Sequence, residues 1–140
     1  VSYKKTICVD FDGVIHWYRN GWQNGKIYDE PVPGSIEWLV RLAKNPDFEV
    51  AIYSSRSKDP ELLHKMKYWI SLELYKYLFF LEGYNCKPLE PLELFDKLTF
   101  PTQKPAAFLT IDDRAICFEG VFPSDEEIKN FTPWNKKRWK

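Results

Sequence analysis

Four carboxylates stand in two short runs, Asp10-Phe11-Asp12-Gly13 and Ile111-Asp112-Asp113-Arg114, each directly after an apolar segment. Gathered at one place they repel one another and destabilise the fold unless a cation sits among them. A hard divalent ion with oxygen ligands, most simply Mg²⁺, is the expected solution. A site neutralised in this way can accept a phosphate, and an Asp carboxylate can attack it to give an acyl phosphate. Asp12, two residues beyond Asp10, can turn back towards the same centre as a proton donor and acceptor, and Gly13 gives the backbone freedom for that turn. A third polar run, Ser54-Ser55-Arg56, also ends an apolar segment. At such an edge Arg56 or Arg114 can clamp a second phosphate or brace the carboxylates. Asp-Gly after a strand is first a turn signal, so the chemistry rests on the ordered set.

The elements that must bring these residues together follow from the hydrophobic pattern. Residues 6–9 and 48–53 are continuous apolar runs, the mark of strands buried on both faces, as in parallel sheets. Residues 98–100 and 106–111 give a third and a fourth strand. Between the first two, Ile36, Leu39, Val40 and Ala43 have the spacing of a one-sided helix, stopped by Asn45-Pro46. Asp59 fits the N-cap and Pro60 the first turn of a second helix. Its apolar stripe runs through Leu62, Met66, Trp69, Ile70, Leu74, Tyr77 and Leu81. In the stretch 83–97, Pro88 and Pro91 argue against regular structure, with a short helix open for 92–98. Ser124 to Glu127 reads as a capping box, and the basic end Lys136-Lys137-Arg138-Trp139-Lys140 as a frayed, solvated tail.

Strands alternating with helices predict an α/β fold, a Rossmann-like three-layer α/β/α arrangement with a mostly parallel sheet and right-handed crossovers. Ligands of such sheets bind beyond the carboxyl ends of the strands, where Asp10, Ser54 and Asp112 fall. Residues 1–123 form the expected single domain, with 14–34 a loop or flap and 124–140 a terminal helix and tail.

The balance of 20 basic against 20 acidic residues excludes a global field for nucleic acid or membranes. No apolar stretch approaches the roughly 20 residues of a membrane span, and the N-terminal apolar run is too short for a signal peptide. Cys8, Cys86 and Cys117 are odd in number and form no C-x-x-C pair, which points to a reducing, cytoplasmic setting. Cys8 and Cys117, among apolar neighbours, read as small hydrophobes. His16 and His64 share no ligand spacing with them, so no zinc site is expected.

Taken in order, the motifs resemble those of the haloacid dehalogenase (HAD) superfamily over about residues 6–120. D-x-D-G appears as Val9-Asp10-Phe11-Asp12-Gly13-Val14, the strand-ending Ser as Ser54, the lysine as Lys104 in Gln103-Lys104-Pro105-Ala106, and the paired acids as Asp112-Asp113. More narrowly, S-S-R and K-P-x-A…I-D-D-R-A are similar to small HAD-like proteins of phage and bacterial type, which would place the chain in a host cytoplasm if phage-encoded. The resemblance implies Asp10 as nucleophile and Mg²⁺ ligand, and Asp12 as general acid/base with its main-chain carbonyl on the metal. It implies Ser54 on the phosphoryl group, Lys104 offsetting charge, and Asp112 on Mg²⁺ with Asp113 assisting. Lys97 competes with Lys104, which is favoured by its place before the last strand. Ser55, Arg56, Asp113 and Arg114 complete the substrate-binding candidates.

Residues 14–34 are too few for a full cap, so the site is expected to be capless or covered by a flap. That flap carries Trp17, Tyr18, Trp22 and Tyr28 with Arg19 and Lys26 between them. Trp17 and Trp22 can stack on a nucleobase while cations meet phosphate, or the rings can simply close a small core. His16 reads as a packing or substrate-edge group. Two function classes follow: a Mg²⁺-dependent phosphohydrolase acting on a nucleotide or other phosphorylated molecule, and a non-catalytic module that sequesters a nucleotide-derived signal. Tight non-specific binding to duplex DNA is not expected, and the oligomeric state stays open, a homo-oligomer included.

Overall fold

In the computed structural model, which describes residues 3–81 and 90–137, the first apolar run is a strand, β1 (Lys5–Val9). It pairs in parallel with β2 (Phe48–Ile52) on one side and β4 (Leu109–Ile111) on the other, and β2 pairs with β3 (Leu98–Thr99). The sheet order is β3-β2-β1-β4, all parallel, an α/β fold of Rossmann-like type. The chain therefore moves outward from β1 to β3 and then returns to the far side of β1. That reversal lies between β1 and β4, and it is where an open parallel sheet leaves a crevice for a ligand.

Residues alternate between sheet faces, so Ile7, Val9, Val50 and Ile52 share one face. They join one core with Ile36, Leu39 and Val40 of α1 (Ser35–Lys44), Met66, Ile70 and Leu74 of α2 (Pro60–Lys76), and Leu94 of α3 (Glu90–Asp96). Cys8 and Ala51 face the other way, where the helix-free connection between β3 and β4 brings Lys104 beside Cys8 and Thr110. The buried stripe of α2 is Met66-Ile70-Leu74 at strict fourfold spacing, carried on by Leu78 in a π-helical turn, Tyr77–Leu81. No helix among the described residues is long and apolar enough to cross a membrane.

Three expectations change. Pro91 does not break regular structure but stands in the first turn of α3, where its missing N–H is no loss; Pro88 and Cys86 lie outside the described residues. Pairing of the fourth strand begins only at Phe108, whose N–H donates to the Thr6 carbonyl, so 106–107 are not strand. Cys117 is exposed rather than packed, while Cys8 is buried.

The terminal segment is also more ordered than a frayed tail. Beyond the Ser124 capping box and α4 (Asp125–Lys129), a last turn, α5 (Trp134–Lys137), lies against the flap. Trp134 Nε1 donates to the Gly13 carbonyl at 2.7 Å, Asn135 Nδ2 to that of Trp17 at 3.1 Å, and Lys136 Nζ to that of Arg19 at 3.2 Å. Residues 138–140 lie outside the described residues.

At the start of α2, the Asp59 carboxylate accepts from the N–H groups of Glu61 and Leu62, two of the donors a helix start leaves unpaired. Asp59→Ala is expected to lower stability by about 1 kcal/mol in urea denaturation, whereas removing a merely solvated carboxylate would leave the midpoint unchanged.

Candidate metal centre

The strand register builds the acidic centre. Val9 stands opposite Ile111 in the parallel pair, and pairing runs one residue further, the Asp10 N–H donating to the Ile111 carbonyl at 2.9 Å. Asp10 and the Asp112-Asp113 pair therefore leave neighbouring strands side by side. One carboxylate oxygen from each of Asp10, Asp112 and Asp113 lies within 4.8 Å of the others. Such an all-oxygen trio suits a hard divalent cation.

Gly13 makes this approach possible. Its φ is +86°, and a Cβ there would lie 2.1 Å from Asp113 Oδ2. Only a residue without a side chain lets the loop after β1 close over Asp113. Asp112 is tied in turn by accepting the Arg114 N–H at 2.8 Å.

Burial is the main cause that pushes the Asp10 carboxyl up to about 8, followed by its hydrogen bond with Asp113 and the charges of Asp112 and Asp113. Asp113 is also raised, chiefly by burial. Two carboxylates this close share a proton unless a cation replaces it.

A small hollow of about 170 Å³ opens beside the trio, lined by Asp10, Asp112, Ser54, Ser55 and Lys104, with Cys8, Tyr53 and Thr110 completing it. Five of the expected site residues thus converge on one space. Lys97 lies elsewhere, lining a separate hollow with Lys4 and Lys44. Ser54 is buried and shaped by its turn: its Oγ accepts the Arg56 N–H at 3.2 Å, and its own N–H donates to Ser57 Oγ at 3.0 Å.

Asp12 does not turn back to this centre. Its carboxylate lies outside the trio and is enclosed by donors: Arg56 Nε at 2.9 Å, Arg56 Nη2 at 3.1 Å and His16 Nδ1 at 2.8 Å. His16 Nε2 accepts the Asp29 N–H, so the neutral ring carries its proton on Nδ1 and donates it to Asp12. The reason is Arg56, which is fully buried and needs a carboxylate beside it. Of the two roles open to Arg56, the structure shows the brace. Its third nitrogen, Nη1, donates to the Gly25 carbonyl of the flap, and the Trp22 ring lies 4.8 Å from its guanidinium carbon. Arg114, by contrast, is exposed at the rim.

Of the packing and substrate-edge roles open to His16, its full burial decides for packing. The flap rings divide likewise. Trp17 is half-buried under Arg19, whose guanidinium carbon lies 4.0 Å from its ring centre, while Trp22 keeps 43% of its surface exposed. Arg19 also grips Asp29 through both carboxylate oxygens, which holds the Asp29 carboxyl well below the usual range. The pairing signal for Asp12 and Arg56 was open in principle, since a buried Arg always seeks a carboxylate, but 44 residues separate them.

Comparison of the chain with family models, with curated proteins and with solved structures returns no match.

Two outcomes test this geometry. Because folded Asp10 holds a proton that the unfolded chain releases above about pH 4, stability in chelator is expected to fall as pH rises from about 4 to 8. Mg²⁺ competes with that proton, so it should raise Tm more at pH 8 than at pH 5; equal shifts at both would refute a cation at the trio. Separately, Arg56→Ala strands a nearly buried Asp12 carboxylate and is expected to cost about 3–5 kcal/mol in urea denaturation.

Proposed function

We propose that this protein is a Mg²⁺-dependent phosphohydrolase that acts through Asp10 on a nucleotide or another phosphorylated molecule. The observation that carries this reading is the shared hollow: Asp10, Asp112, Ser54 and Lys104 surround one space the size of a phosphate with its immediate substituents. In this reading Asp10, Asp112 and Asp113 would hold the metal, which when bound would offset part of the negative charge of the carboxylates and the phosphate. Ser54 and Lys104 orient the phosphoryl oxygens, Lys104 as a cation and Ser54 by hydrogen bond. A free Asp10 oxygen attacks phosphorus, the ester P–O bond breaks, and the leaving oxygen takes a proton from Asp12. Water then attacks phosphorus and gives a proton back to Asp12, the Asp10–phosphorus bond breaks, and phosphate leaves with Asp10 restored.

Asp12 supports the second reading. The resemblance makes it the proton donor, yet its carboxylate is engaged by Arg56 and His16. An Asp held as an acceptor has no proton to give, and that favours a site that holds a phosphorylated ligand without turning it over. Under the phosphohydrolase reading, Asp12 must exchange its Arg56 contact for the leaving group during each cycle.

Purified protein with Mg²⁺ and a panel of phosphorylated metabolites and nucleotides separates the two. Multiple-turnover phosphate release, reduced at least 10³-fold in Asp10→Asn, is the result expected for the enzyme; the scale is about that of losing a nucleophile. Stoichiometric capture, with unchanged ligand recovered on heating, would leave only the binding module.

A further inference from the structure

The terminal turn α5, expected to trail in solvent, instead completes a basic groove on the flap. Two hollows of about 520 and 480 Å³ share Arg19, Asn20 and Lys136 in their walls and so lie side by side. The first is lined by Arg19, Lys26 and Lys136 with Asn20, Gln23 and Tyr28, and no carboxylate of the described residues lines it. In the second, Asp29 is held by Arg19. Lys26 makes no side-chain bond among the described residues, and Lys136 directs its ammonium to a main-chain carbonyl, so neither positive charge is cancelled by a carboxylate there. A globally neutral chain thus leaves two lysine charges, Lys26 and Lys136, uncompensated by any described carboxylate on one surface.

The groove is also fixed relative to the metal centre. Trp134, which grips the Gly13 carbonyl, stands two residues before Lys136, less than one helical turn away (about 5.4 Å of rise). Gly13 is the residue that touches Asp113. Asn135, between them, is 2% exposed, so α5 is seated rather than loosely attached. Tyr28, in the wall of the first hollow, is 37% exposed, and Trp22, on the same flap but outside both hollows, is 43% exposed. Cations along a groove with an exposed aromatic ring in its wall are a combination that holds a single nucleic-acid strand, phosphates on the cations and a base on the ring.

We infer that the substrate class is single-stranded nucleic acid bearing a terminal phosphate. The terminal phosphate enters the acidic centre, and the adjoining phosphodiesters lie along Lys136 and Lys26. This rests on the phosphate-site reading above and extends it from a free nucleotide to a polynucleotide end. A free nucleotide polyphosphate would use the metal centre and leave the groove idle.

The test uses the full chain and a fluorescein-labelled ten-residue oligothymidylate without a terminal phosphate, read by anisotropy in chelator, so that only the groove is probed. Binding is expected at low salt, weakening with salt by about 0.7 in log K per log unit for each phosphate contact. Lys26→Gln combined with Lys136→Gln is expected to lower affinity about tenfold and to flatten that slope by about 1.4. Lys26→Gln alone breaks no contact within the described residues, and it is expected to give half of the slope change with an unaltered Tm. Absence of oligonucleotide binding, or equal affinity in the double variant, would overturn the groove. A failure of Mg²⁺-dependent phosphate release with groove binding intact would instead overturn the phosphohydrolase reading alone.

Discussion

Carboxylates that leave adjacent parallel strands at the same level cannot all remain charged without a counter-charge, and the rest of this structure is arranged around that constraint. The register that sets Val9 opposite Ile111 delivers Asp10 and Asp112-Asp113 to one point. Neighbouring strands lie about 4.8 Å apart, so the register alone makes these acids compete for a proton or a cation. The protein lowers the cost in two ways. Lys104 is brought up by the connection from β3 to β4 to line the same hollow. Gly13 lets the loop close tightly enough for Asp10 and Asp113 to share a hydrogen bond.

A second electrostatic decision separates Asp12 from Asp10. Burying Arg56 completely is tolerable only with its charge paired and its nitrogens bonded, and each of the three has an acceptor, the two oxygens of Asp12 and the Gly25 carbonyl. That pair fastens the loop after β1, the turn after β2 and the flap to one another. His16 adds a third fastening by bridging Asp12 to the Asp29 N–H. The flap is therefore a wall anchored through polar contacts rather than a loose cover, and α5 buttresses its outer side. The same network that makes the wall rigid keeps Asp12 away from the acidic centre. In the proposed phosphohydrolase, positional rigidity and proton transfer would place opposing demands on this one carboxylate.

Much of this was legible in the residues. Continuous apolar runs of β-prone residues gave β1 and β2, and the polar residues at their ends gave the edge where Asp10 and Ser54 stand. The Asp59-Pro60 start of α2 and the Ser124 capping box were readable because caps are local chemistry. Pro91 misled because the same residue breaks a helix interior and favours a first turn, and only the position of the helix start distinguishes the two.

By itself, then, the sequence determined β1, β2, α1, α2 and the edge at which Asp10, Ser54, Lys104 and Asp112 meet, because hydrophobic periodicity and strand ends are short-range properties. What only the tertiary structure decided was the partner of each charge. Asp12 lies two residues from Asp10 yet belongs to Arg56, 44 residues away. Lys136 belongs to a flap that begins more than a hundred residues earlier. Pairing of charges is set by which groups are buried together, and burial is a property of the folded chain, with no signature in local spacing.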